Sequence, residues 1–323
     1  MEKFFTQSAL LCVLFLASST VGGCFPLMEE EVQKNWQTLM APILDVNLSS
    51  SGHESNQAGT LYLAVYGWGP SDNAITYYGV EATMDVYGFN LEHGQQTGGF
   101  ISIYNKDEAS AINNFIAGWN IEPESYNDSQ THFSTWFTQG SNACPDMRCP
   151  GFVSEIVPGM VINPVSTTSS DKQYITVRVS KDPNSGDWQV YYGFNGEARL
   201  TGYYPISLFT SLSYKPVTIM FGGYAFKKEH KLPSPPMGSG NAPIKNAASF
   251  SSVKFFDAGG NSHQINSALR YISNCYRVSD FEHDGPSSSR TNNRQGEGRQ
   301  FGMAAAMALR MEDGVSIRSK EMV

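Results

Sequence analysis

The sequence predicts an all-β protein, an antiparallel sandwich or barrel. Three observations lead there. Apolar and polar residues alternate with period two in about ten segments between residues 60 and 256. Turn clusters rich in Gly, Asn, Asp, Pro and Ser separate them. The composition suits tight turns around an aromatic core, with 30 Gly, 16 Tyr and 19 Phe. Short strands linked by turns, with almost no helical periodicity, close into sandwiches or barrels.

Residues 1–24, MEKFFTQSALLCVLFLASSTVGGC, have the order of a cleavable signal peptide. Lys3 comes first, the apolar run Ala9 to Ala17 follows, and small residues close the segment. The run is too short to span a bilayer. A buried N-terminal strand is the competing reading, and it explains neither the apolar run nor the small residues after it. The boundary is set at residues 1–23, which makes the protein secreted, with the cell wall or vacuole as further destinations. Cleavage leaves roughly 300 residues, enough for one large β domain.

Residues 24–54 hold one helical stretch and a linker. Glu29, Glu30 and Glu31 open the helix, where acidic residues complement the N-terminal dipole. Val32, Trp36, Leu39 and Met40 then form an apolar stripe, and Pro42 ends it.

Strands are expected over Thr60–Gly67, Thr76–Tyr87, Phe100–Tyr104, Phe115–Ile121 and His132–Phe137. Further strands are expected over Gly151–Val157, Gln173–Val179, Trp188–Phe194, Pro216–Phe226 and Phe250–Phe256. Neither an internal repeat nor a linker interrupts this region. Residues 279–323 change character: DGPSSSRTNNRQGEGRQ is polar and of low complexity and reads as disordered, and FGMAAAMALRM as a short helix.

A net charge of −8 argues against nucleic acid, whose phosphates it would repel. Six scattered His show no metal-ligand spacing, so no metal or other cofactor is expected. Cys144 and Cys149 suit a short disulfide-closed turn in an oxidising compartment. A zinc site would need a His or further Cys close by. Asn47-Leu48-Ser49 and Asn127-Asp128-Ser129 are glycosylation sequons.

Several motifs occur in a fixed order. They are Ala117-Gly118-Trp119 with Pro123, Tyr126 to Trp136, and Cys144 to Cys149-Pro150-Gly151-Phe152-Val153. Lys181-Asp182-Pro183 with Gly186-Asp187-Trp188, Gly202-Tyr203-Tyr204-Pro205 with Leu208-Phe209 and Leu212, Gly222-Gly223, and Met237-Gly238-Ser239-Gly240 complete the series. Together they resemble the neprosin domain of plant secreted proteins over about residues 55–278. The resemblance implies a β-sandwich of glutamic-peptidase type. It also implies a family activity of cleavage after proline in acid by two glutamates across a groove.

In such a pair one carboxylate takes a proton from water, and the other, held protonated, polarises the peptide carbonyl. The resemblance places the first glutamate three residues before the Trp of Ala-Gly-Trp, where this chain has Ile116, and the second after Gly-Gly, where it has Tyr224. Both catalytic carboxylates are therefore expected to be missing. An isoleucine cannot move a proton, and a phenol with a reference pKa of about 10 is no base in acid. Phe221 also stands where the family usually has Trp.

By the same resemblance, residues 24–54 are short for a propeptide and read as a remnant of one. The chain also lacks a glycine-rich final strand and the last cysteine that would bridge to Cys275, leaving Cys24 as the remaining candidate partner. Altered splicing, a gene-model error and true divergence all fit such a tail.

Three functions follow. The first is a secreted non-catalytic relative that binds proline-containing peptides in the retained groove. The second is an active peptidase using displaced acids among Glu81, Asp85, Glu122, Glu124 and Glu155. The third is a sandwich module that binds carbohydrate or other cell-wall components through its aromatic residues. The sequence leaves the oligomeric state open.

Overall fold

The computed structural model describes residues 59–69, 75–107, 112–139, 142–146, 152–154, 158–167, 171–229, 231–240, 247–265, 269–272, 276–278 and 300–305. The predicted signal segment, the Glu29–Ala41 helix, Asn47, Cys149, Glu155 and Cys275 lie outside these residues.

Two antiparallel sheets face each other. The first contains β1 (Thr60–Trp68), β3 (Gln95–Lys106), β4 (Ile112–Ile121), β5 (His132–Gln139), β6 (Asn142–Pro145), β11 (Thr218–Lys227) and β14 (Leu269–Ile272), in the order β14-β1-β11-β3-β4-β5-β6. The second contains β2 (Tyr77–Asp85), β7 (Val153–Ser154), β8 (Tyr174–Lys181), β9 (Trp188–Phe194), β10 (Arg199–Tyr204), β12 (Ala248–Asp257), β13 (Ser262–Gln264), β15 (Tyr276–Val278) and β16 (Gln300–Ala305). Its order is β15-β16-β12-β2-β8-β9-β10-β7, with β13 paired to β12. The described helix is minimal: one turn, α1 (Pro123–Tyr126), and two 3-10 turns over Ile206–Leu208 and Ser211–Ser213.

Alternation sets the faces. In β8, Ile175, Val177 and Val179 are buried in the main core while Arg178 points away from it. In β2, Val80, Ala82 and Met84 are buried, and Glu81 on the opposite face pairs with Lys254 at 3.0 Å. Aromatic contacts join the sheets: Phe133 with Tyr192 at 4.5 Å, Phe115 with Tyr204 at 5.1 Å and Phe221 with Phe250 at 6.1 Å between ring centroids. The Trp119 indole N–H on β4 donates to the Asp85 carbonyl at the end of β2, at 3.1 Å.

The first sheet is apolar on its second face too. Leu63, Val65, Phe100, Ile116, Trp136, Met220, Tyr224 and Phe226 form a separate cluster there. That accounts for the near-continuous burial of β1, where Tyr62, Ala64 and Tyr66 serve the main core and Leu63 and Val65 this second one.

Three expectations are corrected. The strand predicted from Phe100 begins at Gln95, because Gln95 donates to the Pro233 carbonyl, Gln96 to Glu122 and Thr97 to the Tyr224 carbonyl. Those bonds compensate polar residues that a pattern of apolar alternation rejects. Arg199–Tyr204 is a strand that the sequence reading missed; a register shift between Leu200 and Gly202 breaks its alternation. Finally, the tail is not wholly disordered, nor is its Phe301–Ala305 segment helical. Gln300–Ala305 runs as β16 between β12 and β15, pairing Ala248 with Met303 and Tyr276 with Ala305. An otherwise open edge of β12 offers backbone groups that outweigh the helical preference of alanine.

Candidate functional site

Ile116 on β4 and Tyr224 on β11 flank β3 and share one face of the first sheet. Ile116 stands opposite Ser102 of β3, whereas Tyr224 stands opposite Gly98, itself opposite Asn120 of β4. Phe115, Ala117, Trp119 and Ile121 face the main core, which turns Ile116, Gly118 and Asn120 to the second face. There Gly99, Phe100, Ile116, Gly118, Trp119, Asn120, Ser134, Trp136 and Tyr224 line one small pocket that opens to solvent.

The pocket floor is bare backbone for a steric reason. A Cβ at Gly118 would fall 2.0 Å from the Gly99 carbonyl oxygen. Gly222, two residues before Tyr224, has φ of 152°, and a Cβ there would fall 2.4 Å from the Ala64 carbonyl oxygen. The Gly-Trp and Gly-Gly motifs thus hold β4 and β11 close to their neighbours.

Tyr224 stacks edge-on against Phe100, with ring centroids 6.0 Å apart. Burial pushes its phenol well above the usual tyrosine range, and the Glu122 carboxylate raises it further, while the Asn120 amide works in the opposite direction. The hydroxyl is a hydrogen-bonding group and not a base. On the far wall, the Trp136 indole N–H donates to Ser134 Oγ at 3.0 Å.

Among the described residues, no carboxylate lines the pocket. Glu122 comes nearest to it in function. Buried at 5% exposure, it accepts hydrogen bonds from Gln96 Nε2 at 3.0 Å and Asn120 Nδ2 at 3.3 Å. Asp146, also buried, accepts from the Tyr126 hydroxyl and from the Thr135 amide at 2.9 Å.

The remaining candidate acids serve other places. Asp85 holds the Lys172 ammonium at 2.7 Å and both the amide and hydroxyl of Ser249 at 2.9 Å. Glu124 pairs with Lys228 on the surface, and Glu81 with Lys254.

Beside the site, Tyr126 stacks on His132 with centroids 3.8 Å apart. His132 Nδ1 lies 2.8 Å from the Gly159 carbonyl, and its Nε2 lies 3.0 Å from Asp128. Burial would push the Asp128 carboxyl up, but hydrogen bonds from His132 and Gln130 outweigh it and hold the group below the usual aspartate range.

Asn127 is exposed at the C-terminal cap of α1, with φ of 62°, and Ser129 of its sequon donates to the Leu91 carbonyl. Cys144 is in a disulfide. Among the described residues, no helix is long and apolar enough to cross a membrane.

The sequence reading picked out Ile116, Tyr224 and Glu122 but missed Asn120, Ser134, Trp136 and Asp146 as neighbours of one site. Parity along β4 was the available signal for Asn120, which shares its face with Ile116 and Gly118. Asp146 carried none, since its approach depends on β6 pairing with β5.

The Neprosin family model matches residues 93–293, more than half of the chain. The chain belongs to the neprosin family. The matched span takes in the pocket and both of its marker positions, Ile116 and Tyr224. Solved structures similar to this neprosin-family chain include scytalido-glutamic peptidase with a transition state analog inhibitor, at TM-score 0.36 and 12% identity over 78% of this chain and 99% of that one. SCP-B, of the Eqolisin family of peptidases, in complex with the tripeptide Ala-Ile-His, matches at TM-score 0.35 and 11% identity over 78% of this chain and 98% of that one. The β-porphyranase BpGH16B from Bacteroides plebeius matches at 0.23 and 10%, over 53% and 68%. At such scores the fold of the neprosin-family chain rests on its own strand pairing.

Proposed function

We propose that this neprosin-family protein is a secreted, non-catalytic relative of the glutamic peptidases that binds peptide in the pocket without cleaving it. The observation behind this reading is that Ile116 and Tyr224 both line that pocket and, among the described residues, no carboxylate does. Hydrolysis by a carboxyl pair needs one group to deprotonate water and a second to polarise the carbonyl. Ile116 does neither. Tyr224, with its phenol raised, offers a donor and no base. Glu122 is held by hydrogen bonds from Gln96 and Asn120 and does not itself line the pocket.

Glu122 also supports a second reading, an active peptidase with a relocated acid, since among the five displaced candidates its charge is the one that acts on Tyr224. Secretion and glycosylation at the exposed Asn127 belong to the first reading as proposals.

A proline-containing fluorogenic peptide, incubated with pure protein from acidic to neutral pH, separates the two. A silent wild type that gains activity in the double variant Ile116→Glu, Tyr224→Glu supports the non-catalytic reading. Cleavage by the wild type that disappears in Glu122→Gln overturns it in favour of the relocated acid.

A further inference from the structure

We propose that the pocket receives the cationic head of a lysine or arginine side chain from a bound peptide. This inference rests on the peptide-binding reading above and narrows it to a chemical class.

Its starting point is Asn120, only 3% exposed and part of the pocket wall. Donation from Nδ2 to Glu122 orients the amide, because a carboxylate accepts and the amide oxygen would be repelled. Asn120 Oδ1 is thereby turned elsewhere, buried and without a hydrogen-bond partner. Gln96 repeats the pattern: its Nε2 donates to Glu122 and its Oε1 is buried and unpartnered. Both amides donate to one carboxylate, Asn120 also hydrogen-bonding the Tyr224 hydroxyl, and each keeps a buried acceptor without a partner. The large majority of buried acceptors have a partner, so a ligand that reaches Asn120 from the pocket should bring hydrogen-bond donors.

The surroundings select a charged donor. Phe100, Trp136 and Tyr224 supply aromatic rings, whose faces attract cations. Glu122 sets a carboxyl group directly behind Asn120, and among the described residues no Lys, Arg or His lines the pocket to oppose a cation. A neutral peptide N–H would satisfy Asn120 but gain little from Glu122 or the rings. A proline within a chain has no N–H to give. An ammonium is close to water in size and carries three donors.

The test uses the full chain and two capped pentapeptides, acetyl-Ala-Ala-Lys-Ala-Ala-amide and the same peptide with norleucine in place of lysine, titrated by calorimetry. The lysine peptide is expected to bind about tenfold tighter, the scale of a desolvated cation–π contact joined to a charge-assisted hydrogen bond. Glu122→Gln is expected to remove most of that preference. Equal or tighter binding of the norleucine peptide overturns the cationic assignment while leaving peptide binding intact. Absence of binding by both peptides overturns the peptide-binding reading as well. A preference that survives in Glu122→Gln overturns the placement of the cation beside Glu122. The comparison of peptides on the unaltered protein does not depend on any variant folding.

Discussion

Tyr224 lies across Gly98. A Cβ built on that glycine would come 2.7 Å from the Tyr224 ring and 2.4 Å from the Trp119 carbonyl oxygen. The bare backbone of β3 is therefore what lets an aromatic residue on β11 reach over the sheet and form one wall of the pocket.

Gly98→Ala is accordingly expected to destabilise the fold by about 1–3 kcal/mol, the usual cost of overpacking. Adding Tyr224→Ala should not restore stability, because the Trp119 carbonyl is backbone and remains in the way. Urea denaturation of the single and double variants checks this. Full recovery in the double variant would show that the ring alone forbids a side chain at position 98.

Ile116→Glu alone places a carboxyl in the apolar cluster with Phe100, Met220 and Trp136. Burial should raise its pKa above the unfolded value of about 4.3. The folded state then prefers the protonated form, so the cost is smallest below that value and grows as pH rises through the folded pKa. A loss on the order of 2–4 kcal/mol is expected at neutral pH. Thermal melts across pH test the direction: a penalty that does not change with pH would mean the new carboxylate reaches water.

Asp257, at the end of β12, supplies the opposite case. A hydrogen bond from His263 pulls its carboxyl down to about 2; burial opposes this, and the N–H groups of Asn261 and Gly259 reinforce it. Its folded pKa lies below the unfolded value of 3.8, so its contribution is present above 3.8 and is lost as pH falls through about 2. Asp257→Ala should melt lower than wild type near neutral pH, and the difference should shrink toward the acid end of that window. A constant difference would trace the loss to the turn geometry of residues 257–261 and not to the charge.

Local chemistry made much of this molecule readable. Period-two alternation in Tyr174–Lys181 and Trp188–Phe194 dictates strands because successive side chains take opposite faces. The neprosin resemblance, carried by Gly118-Trp119 and Gly222-Gly223, pointed to Ile116 and Tyr224, and steric contact explains Gly118 and Gly222: each admits a neighbouring strand that a Cβ would block.

Only the tertiary structure decided which strands are neighbours, since pairing joins residues as distant as Gly98 and Tyr224. It brought Gln96 and Asn120 together on Glu122, and it drew Gln300–Ala305 into a sheet edge against the preference of its alanines. The reason is physical. Alternation and turn chemistry act within a few residues, whereas a buried amide or an open strand edge is satisfied by whatever the fold places beside it.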